Sequence, residues 1–343
     1  MSNITSSSFT LLSPAPYLPL SERSGNLPFT LTNDYMFKAV FQTDNSALRA
    51  LLCSLLDLTD EDILTIVITN ALVLGATIES KDTILDLHLI LNSRQIIDIE
   101  MQLRNEKNWP ERSLYYLCSS FNNLETGENY LNVSPAHHIG ILGFGLPNLQ
   151  KQFYSHYYMS NETTHEIFYD KFRLSILNLT QTELATEHDR RAGLTRWAAA
   201  FKATTWEEYQ MLAEEDSIFE KVSDALYLLS QHPEVARQCR RMQEAEAVRK
   251  YREEMDRQQA AELERKAAEI EQKSAEIKQK SAEIEQKDTE LKQKDTEIEQ
   301  KAAVIEQKDT ELKQKDTEIE QQANEIERLK AEIKRLTAEG LSQ

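Results

Sequence analysis

The residues with the clearest chemical potential are Asp86 and Glu100, which stand in two consecutive alternating segments. Thr83 to Leu91 (TILDLHLIL) alternates with period two and is rich in β-branched and apolar side chains, the pattern of a strand. Asn92-Ser93-Arg94 is a turn signal, and Gln95 to Gln102 (QIIDIEMQ) alternates again. The two segments predict a hairpin. Directly opposed residues of an antiparallel pair share a face. Pairing Leu91 with Gln95 sets Leu89 against Ile97, Leu87 against Ile99 and Leu85 against Met101, one continuous apolar face. The same register sets His88 against Asp98, Asp86 against Glu100 and Ile84 against Gln102. A slip of one residue mixes the faces and is disfavoured, whereas a slip of two keeps the faces and moves Asp86 diagonal to Glu100.

Two carboxylates facing each other across a hairpin repel, and a cation between them relieves the repulsion. A hard divalent metal is held by one or two carboxylates plus waters and phosphate oxygens. It polarises a phosphodiester and lowers the pKa of a bound water. Asp86 and Glu100 are therefore candidate metal ligands, with the carbonyl of Met101 a third. Gln102 lies on the same face and could position an attacking water through its amide, but it cannot be a general base. His88 shares that face and could approach metal or DNA. The hairpin alone leaves another reading open, the solvated side of a half-exposed sheet.

The elements around the hairpin are also legible. Residues 1–27 are rich in Ser, Pro and Asn and read as a loose lead-in. Pro110 to Leu124 carries Leu114, Leu117 and Phe121 at helical spacing. Arg112 and Tyr116, four apart, share one face of that helix, placed either to clamp a phosphate or as packing and a surface ion pair. His137 to Phe144 reads as a buried strand. His137 and His138, at its start, have no carboxylate at ligand spacing, which makes a metal role there the weaker reading. Phe153 to Met159 and Glu166 to Ile176 alternate like further strands. Residues 181–233 read as helices, with Trp197, Trp206 and Tyr209 available for packing.

The stretch from Asn70 to Leu131 resembles the recombination-promoting nuclease (Rpn) and transposase family, within the PD-(D/E)XK superfamily. The motifs that carry the resemblance are the strand–Asp–strand–ExQ array, Glu111-Arg112-x-Leu114-x-Tyr116, and Gly127-Glu128-x-Tyr130. Upstream, LTNDYMFKAVFQ (residues 31–42) is similar to the family's opening helix, with its D-x-x-F-K signature on Asp34, Phe37 and Lys38. The resemblance implies an α/β fold: a restriction-endonuclease-like core, a mixed sheet flanked by helices, over residues 28–180. It implies Mg²⁺-dependent endonucleolytic cleavage of DNA, with Mn²⁺ as a substitute, tied to recombination or mobile elements. The superfamily's first acid falls on Asp86, its second on Glu100, and its usual lysine on Gln102, a glutamine typical of the Rpn branch. Among the cations near the motif, Lys81 is the first choice to replace that lysine, ahead of Arg104 and Arg112. Lys38, Arg104, Arg112 and Tyr116 are expected to contact substrate.

Composition sets limits. The net charge of −18 does not favour nucleic-acid binding, so a DNA-binding face must be a local basic patch. Three well-separated cysteines, Cys53, Cys118 and Cys239, give no zinc spacing and suggest reduced thiols in a cytoplasmic protein. No segment reads as a signal peptide or a membrane span.

Residues 234–343 read as one long charged helix built from near-identical seven-residue units such as KAAEIEQ and KDTELKQ. One apolar column recurs, Ile270, Ile277, Ile284 and on to Ile333, but the other seam position holds Asp288, Asp295, Asp309 and Asp316. A coiled coil wants two apolar positions per heptad. The alternatives are a solvated single helix and a weak homo-oligomeric coil. Two functions compete: an active endonuclease, and a catalytically weak nuclease-derived protein that binds DNA and assembles through its tail. A DDE transposase is less well supported, because no third spaced acid is evident.

Overall fold

The computed structural model describes residues 17–72 and 86–340. The chain divides into two units, Met1–Tyr251 and Arg252–Gln343. The first holds a six-stranded mixed sheet in the order β1-β2-β3-β4-β6-β5. Its strands are β1 (Ile66–Ile68), β2 (Leu87–Leu91), β3 (Gln95–Gln102), β4 (Ala136–Leu142), β5 (Tyr154–Ser160) and β6 (Ile167–Asn178). β1 pairs antiparallel with β2 and β2 with β3, while β3, β4 and β6 are mutually parallel and β5 returns antiparallel to β6.

The β2–β3 hairpin has the expected register, not one slipped by two: Leu91 opposite Gln95, Leu89 opposite Ile97, His88 opposite Asp98, Leu87 opposite Ile99. Asn92 and Ser93 make the turn with positive φ (53° and 57°), and the Arg94 amide donates to the Leu91 carbonyl. The ladder ends at Leu87 and Ile99, one pair short of Asp86 and Glu100. Thr83, Ile84 and Leu85 lie outside the described residues, so the Leu85–Met101 and Ile84–Gln102 pairings do too.

Parallel neighbours need a crossover, and between β3 and β4 it is the helix α3 (Trp109–Phe121), which opens with Pro110 in its first turn. One sheet face, Ile97, Ile99 and Met101 of β3 with Ile139 and Ile141 of β4, enters the main apolar core. Helices α1 (Asp34–Thr43), α2 (Asn45–Leu56), α5 (Leu194–Lys202), α6 (Trp206–Glu215) and α7 (Ile218–Gln231) fill that core. Phe41 meets the Trp197 ring at 5.8 Å, and Trp197 meets Phe219 at 5.0 Å. The short helix α4 (Glu187–Arg191) leads into α5, capped by Thr186 and Asp189.

The opposite face lies under α3. There Trp109 packs with Leu142 and Ile176 in a second, smaller cluster. The contact depends on Gly140: a Cβ at that position would stand 2.1 Å from a Trp109 ring carbon.

The last helix, α8 (Pro233–Gly340), begins in the first unit, where Val235, Ala236 and Cys239 are buried. Asn33, whose side chain caps α1, also donates to the Cys239 carbonyl. In the second unit the described side chains are exposed. Lys266 pairs with Glu262, Lys273 with Glu269 and Lys292 with Asp288, each four residues apart. Such pairs contribute about 0.2–0.5 kcal/mol each to an isolated helix. Among the described residues no helix is long and apolar enough to cross a membrane.

Gly140→Ala should therefore destabilise the protein by about 1–3 kcal/mol, the cost of overpacking a close contact. Combining it with Trp109→Ala should restore part of that loss, giving a non-additive cycle. Urea denaturation of the four forms checks this. Strict additivity would show that the ring and the glycine are not coupled.

Candidate active site

β3 runs through the middle of the sheet, and α3 covers its polar face. Asp98 and Glu100 sit on that face at 4% and 2% exposure. Burying an ionised carboxylate is costly unless it is paired and hydrogen-bonded, and both have partners. Arg112 of α3 donates from Nε to Glu100 Oε1 at 2.5 Å. His138 of β4, opposite Asp98 in the parallel register, places Nδ1 2.7 Å from Asp98 Oδ2. His138 Nε2 stands 3.7 Å from Glu100 Oε2.

α3 covers these groups with aromatic rings. Tyr116 stacks on the His138 imidazole, with centroids 6.1 Å apart and planes at 10°, and the Arg112 guanidinium lies over the Tyr116 ring. Arg112 and Tyr116 thus share a helical face, and that face is turned on Glu100 and His138.

Asp86 stands at the open end of β2. Asn70 fixes its backbone: the side-chain amide donates to the Asp86 carbonyl and accepts from the His88 amide. Burial, then Glu100 and then Asp98, raise the Asp86 carboxyl from its ordinary value to about 8. Burial also raises Glu100, against the pull of Arg112 and His138. Asp34, at the start of α1, keeps solvent access, yet desolvation and then Glu100 and Glu246 lift it to about 6.

A lysine enters from the opposite layer. Lys38 of α1 is 1% exposed, and burial lowers it to about 8 while Asp86 and then Asp98 hold it up. The cation of the opening helix thus lies within the electrostatic reach of Asp86 and Asp98. Arg104, also expected at the substrate, pairs with Glu246 of α8 at 3.5 Å. Lys81 lies outside the described residues. Gln102 donates from Nε2 to the Arg104 carbonyl. Met101 faces the main core with its side chain. His88 is bound at Nδ1 to the Thr69 hydroxyl, 2.5 Å away.

The reading of His138 is corrected: it has a carboxylate partner in Asp98 and a second carboxylate oxygen, that of Glu100, close by. Chain spacing could not show this, because the two residues lie 40 apart. Their parallel pairing is what joins them. His137 points to the other face and meets the Ser175 hydroxyl at 2.7 Å.

Glu100 Oε2, Gln102 Oε1 and His138 Nε2 are buried without a hydrogen-bond partner. Each such atom costs about 1–3 kcal/mol. Oxygen and nitrogen atoms left open around Glu100 are donors of the kind a divalent cation takes. Among the described residues no group of three His, Cys, Asp or Glu side chains is already arranged to hold a metal. A cation bound there would keep water or substrate oxygens in part of its shell.

The chain matches the family model described as PD-(D/E)XK nuclease family transposase across residues 31–258. No curated protein and no solved structure matches it.

The raised Asp86 value has a thermodynamic consequence. The folded state holds an extra proton there between the ordinary 3.8 and about 8, so this group's contribution to stability declines as pH rises through that window. Lys38 acts in the opposite sense, its contribution growing with pH from about 8 to the ordinary 10.5. Asp86→Asn should thus be more stable than the parent near pH 8, by on the order of 1 kcal/mol or more. The gain should shrink toward pH 4. Urea midpoints at several pH values read it, and a gain independent of pH would contradict the buried state assigned to Asp86.

Proposed function

The chain belongs to the PD-(D/E)XK nuclease family transposases, and on that premise we propose that it is a metal-dependent DNA endonuclease acting at the Asp86–Glu100 cluster. The observation that carries the reading is a pair of carboxylates with raised pKa values beside buried oxygens that lack donors. Perturbed groups of this kind concentrate at functional sites.

Asp86 and Glu100 would hold Mg²⁺ or Mn²⁺, with the Met101 carbonyl as a further oxygen. When bound, the cation polarises the phosphodiester and lowers the pKa of its water. Lys38 is a candidate to replace the lysine that the ExQ motif lacks, beside Lys81, the first choice from the sequence, which lies outside the described residues. The Lys38 ammonium, within electrostatic reach of Asp86 from the layer of α1, would steady negative charge that develops on the scissile phosphate. Gln102 Oε1 accepts a hydrogen bond from the attacking water and orients it. Arg112, bonded to Glu100 in the free protein, would turn with Tyr116 toward a substrate phosphate. Arg104 stands at the rim, where a phosphate competes with Glu246. The family supports a role in recombination or at mobile elements.

The bond between Arg112 and Glu100 favours a second reading, a catalytically weak protein that binds DNA and assembles through its tail. On that reading the guanidinium keeps the carboxylate occupied. The tail's apolar column is free for self-association, with exposures of 52–68% from Ile270 to Ile333.

Plasmid cleavage with Mg²⁺, Mn²⁺ or EDTA separates the two. The enzyme should nick DNA only with metal, and Asp86→Ala or Glu100→Ala should lower the rate at least about 100-fold. Lys38→Met should lower kcat about 100-fold with little change in substrate affinity. Parent and Asp86→Ala behaving alike would leave assembly as the function. Sedimentation velocity of the full chain tests that assembly: a concentration-dependent shift abolished by Ile284→Lys with Ile298→Lys supports it, and a monomer at every concentration excludes it.

A further inference from the structure

The Asp98–His138 pair has the form of a metal ligand with its outer partner. A histidine that binds a metal through one ring nitrogen almost always donates the other N–H to a carboxylate or carbonyl, which fixes tautomer and ring orientation. Here Asp98 Oδ2 accepts from Nδ1 at 2.7 Å, so the Nε2 lone pair is left facing outward from that bond. Nε2 has no hydrogen-bond partner although His138 is fully buried. Its nearest charged neighbour is Glu100 Oε2, itself buried without a partner, at 3.7 Å.

That distance is informative. It is too long for an N–H···O bond, which needs about 2.7–3.2 Å. Two donors each about 2.1 Å from one ion can stand up to about 4.2 Å apart. The other Glu100 oxygen is committed to Arg112, so the pair of open atoms is Oε2 and Nε2. The stacked Tyr116 ring and Trp109, with centroids 6.1 and 5.8 Å from His138, hold the imidazole plane in place.

We propose that His138 Nε2 is a direct ligand of the catalytic cation alongside Glu100, and that this nitrogen makes the site prefer first-row transition dications over Mg²⁺. The inference rests on the metal site proposed above and refines it. An all-oxygen set suits Mg²⁺, whereas imidazole suits the ions further along the Irving–Williams order. Asp98 is the positioning residue, raising the basicity of the imidazole and holding one tautomer.

The probe is Mn²⁺, added to the purified full chain. Pulsed electron paramagnetic resonance of the bound ion should show coupling to a directly ligated ¹⁴N, and His138→Gln should remove it. Calorimetry should show tighter binding of Mn²⁺ than of Mg²⁺. His138→Gln should weaken Mn²⁺ about 10- to 100-fold and bring the two ions close to parity, and Asp98→Asn should weaken Mn²⁺ about 10-fold while keeping the ¹⁴N signal. Mn²⁺ that binds and is lost in Glu100→Gln, but carries no ¹⁴N coupling, overturns the His138 assignment and leaves the carboxylate site standing. Folded parent protein that binds no Mn²⁺ overturns both. The spectrum of the parent decides the assignment even where a variant fails to fold.

Discussion

The fold is organised by a conflict at the centre of the sheet. β3 must be apolar on one side to complete the core, and on the other it places two acids, Asp98 and Glu100, where water does not reach. Buried charge left alone is costly enough to unfold a domain of ordinary stability. The arrangement around β3 is the set of answers to that cost. β4 has to be parallel and in register so that His138 meets Asp98. α3 has to lie across the same face so that Arg112 meets Glu100. For α3 to lie that close, β4 must carry a glycine beneath Trp109.

The other side of the sheet obeys ordinary rules until Lys38. α1 is buried almost all round, with Tyr35, Met36, Phe37, Ala39, Val40 and Phe41 in apolar contact. A lysine in that company is expensive, and its lowered pKa expresses the expense. It is tolerated because Asp86 and Asp98 attract it. That attraction offsets only part of the burial cost. Departures from local rules concentrate at functional or strained positions.

Much of this was legible from residue order. Alternation over Leu87–Leu91 and Gln95–Gln102 fixes which faces meet, because a slip of one residue would turn Ile97 and Ile99 to the wrong face, whereas a slip of two keeps the faces and is settled only by the observed pairing of Leu91 with Gln95. Spacing on α3 places Arg112 and Tyr116 together. The likeness to a nuclease family, carried by the ExQ array and the D-x-x-F-K helix, agrees with the family that the chain matches. What order could not show is non-local. The His138–Asp98 pair depends on a parallel register, which a crossover helix leaves undetermined by pattern. The D-x-x-F-K motif singles out Lys38, but its burial and its interaction with Asp86 come from the packing of α1 on the sheet. β1 is too short for a periodic signal, and Asn70, which holds the end of β2, acts through its side-chain amide rather than any recognisable motif.

The tail is a different kind of object. Its units repeat almost letter for letter, and in each the bonds that hold the helix run from one turn to the next, as from Thr289 to the Glu285 carbonyl and from Lys292 to Asp288. No unit leans on a particular other unit. A gene segment of this kind, a tandem array in whole codons, can slip during replication and gain or lose copies without shifting the reading frame. The protein would differ between lineages by multiples of seven residues, and the helix would reseal around each change at no cost to its own bonding. Length is then a heritable variable decoupled from chemistry, open to drift or to selection for reach.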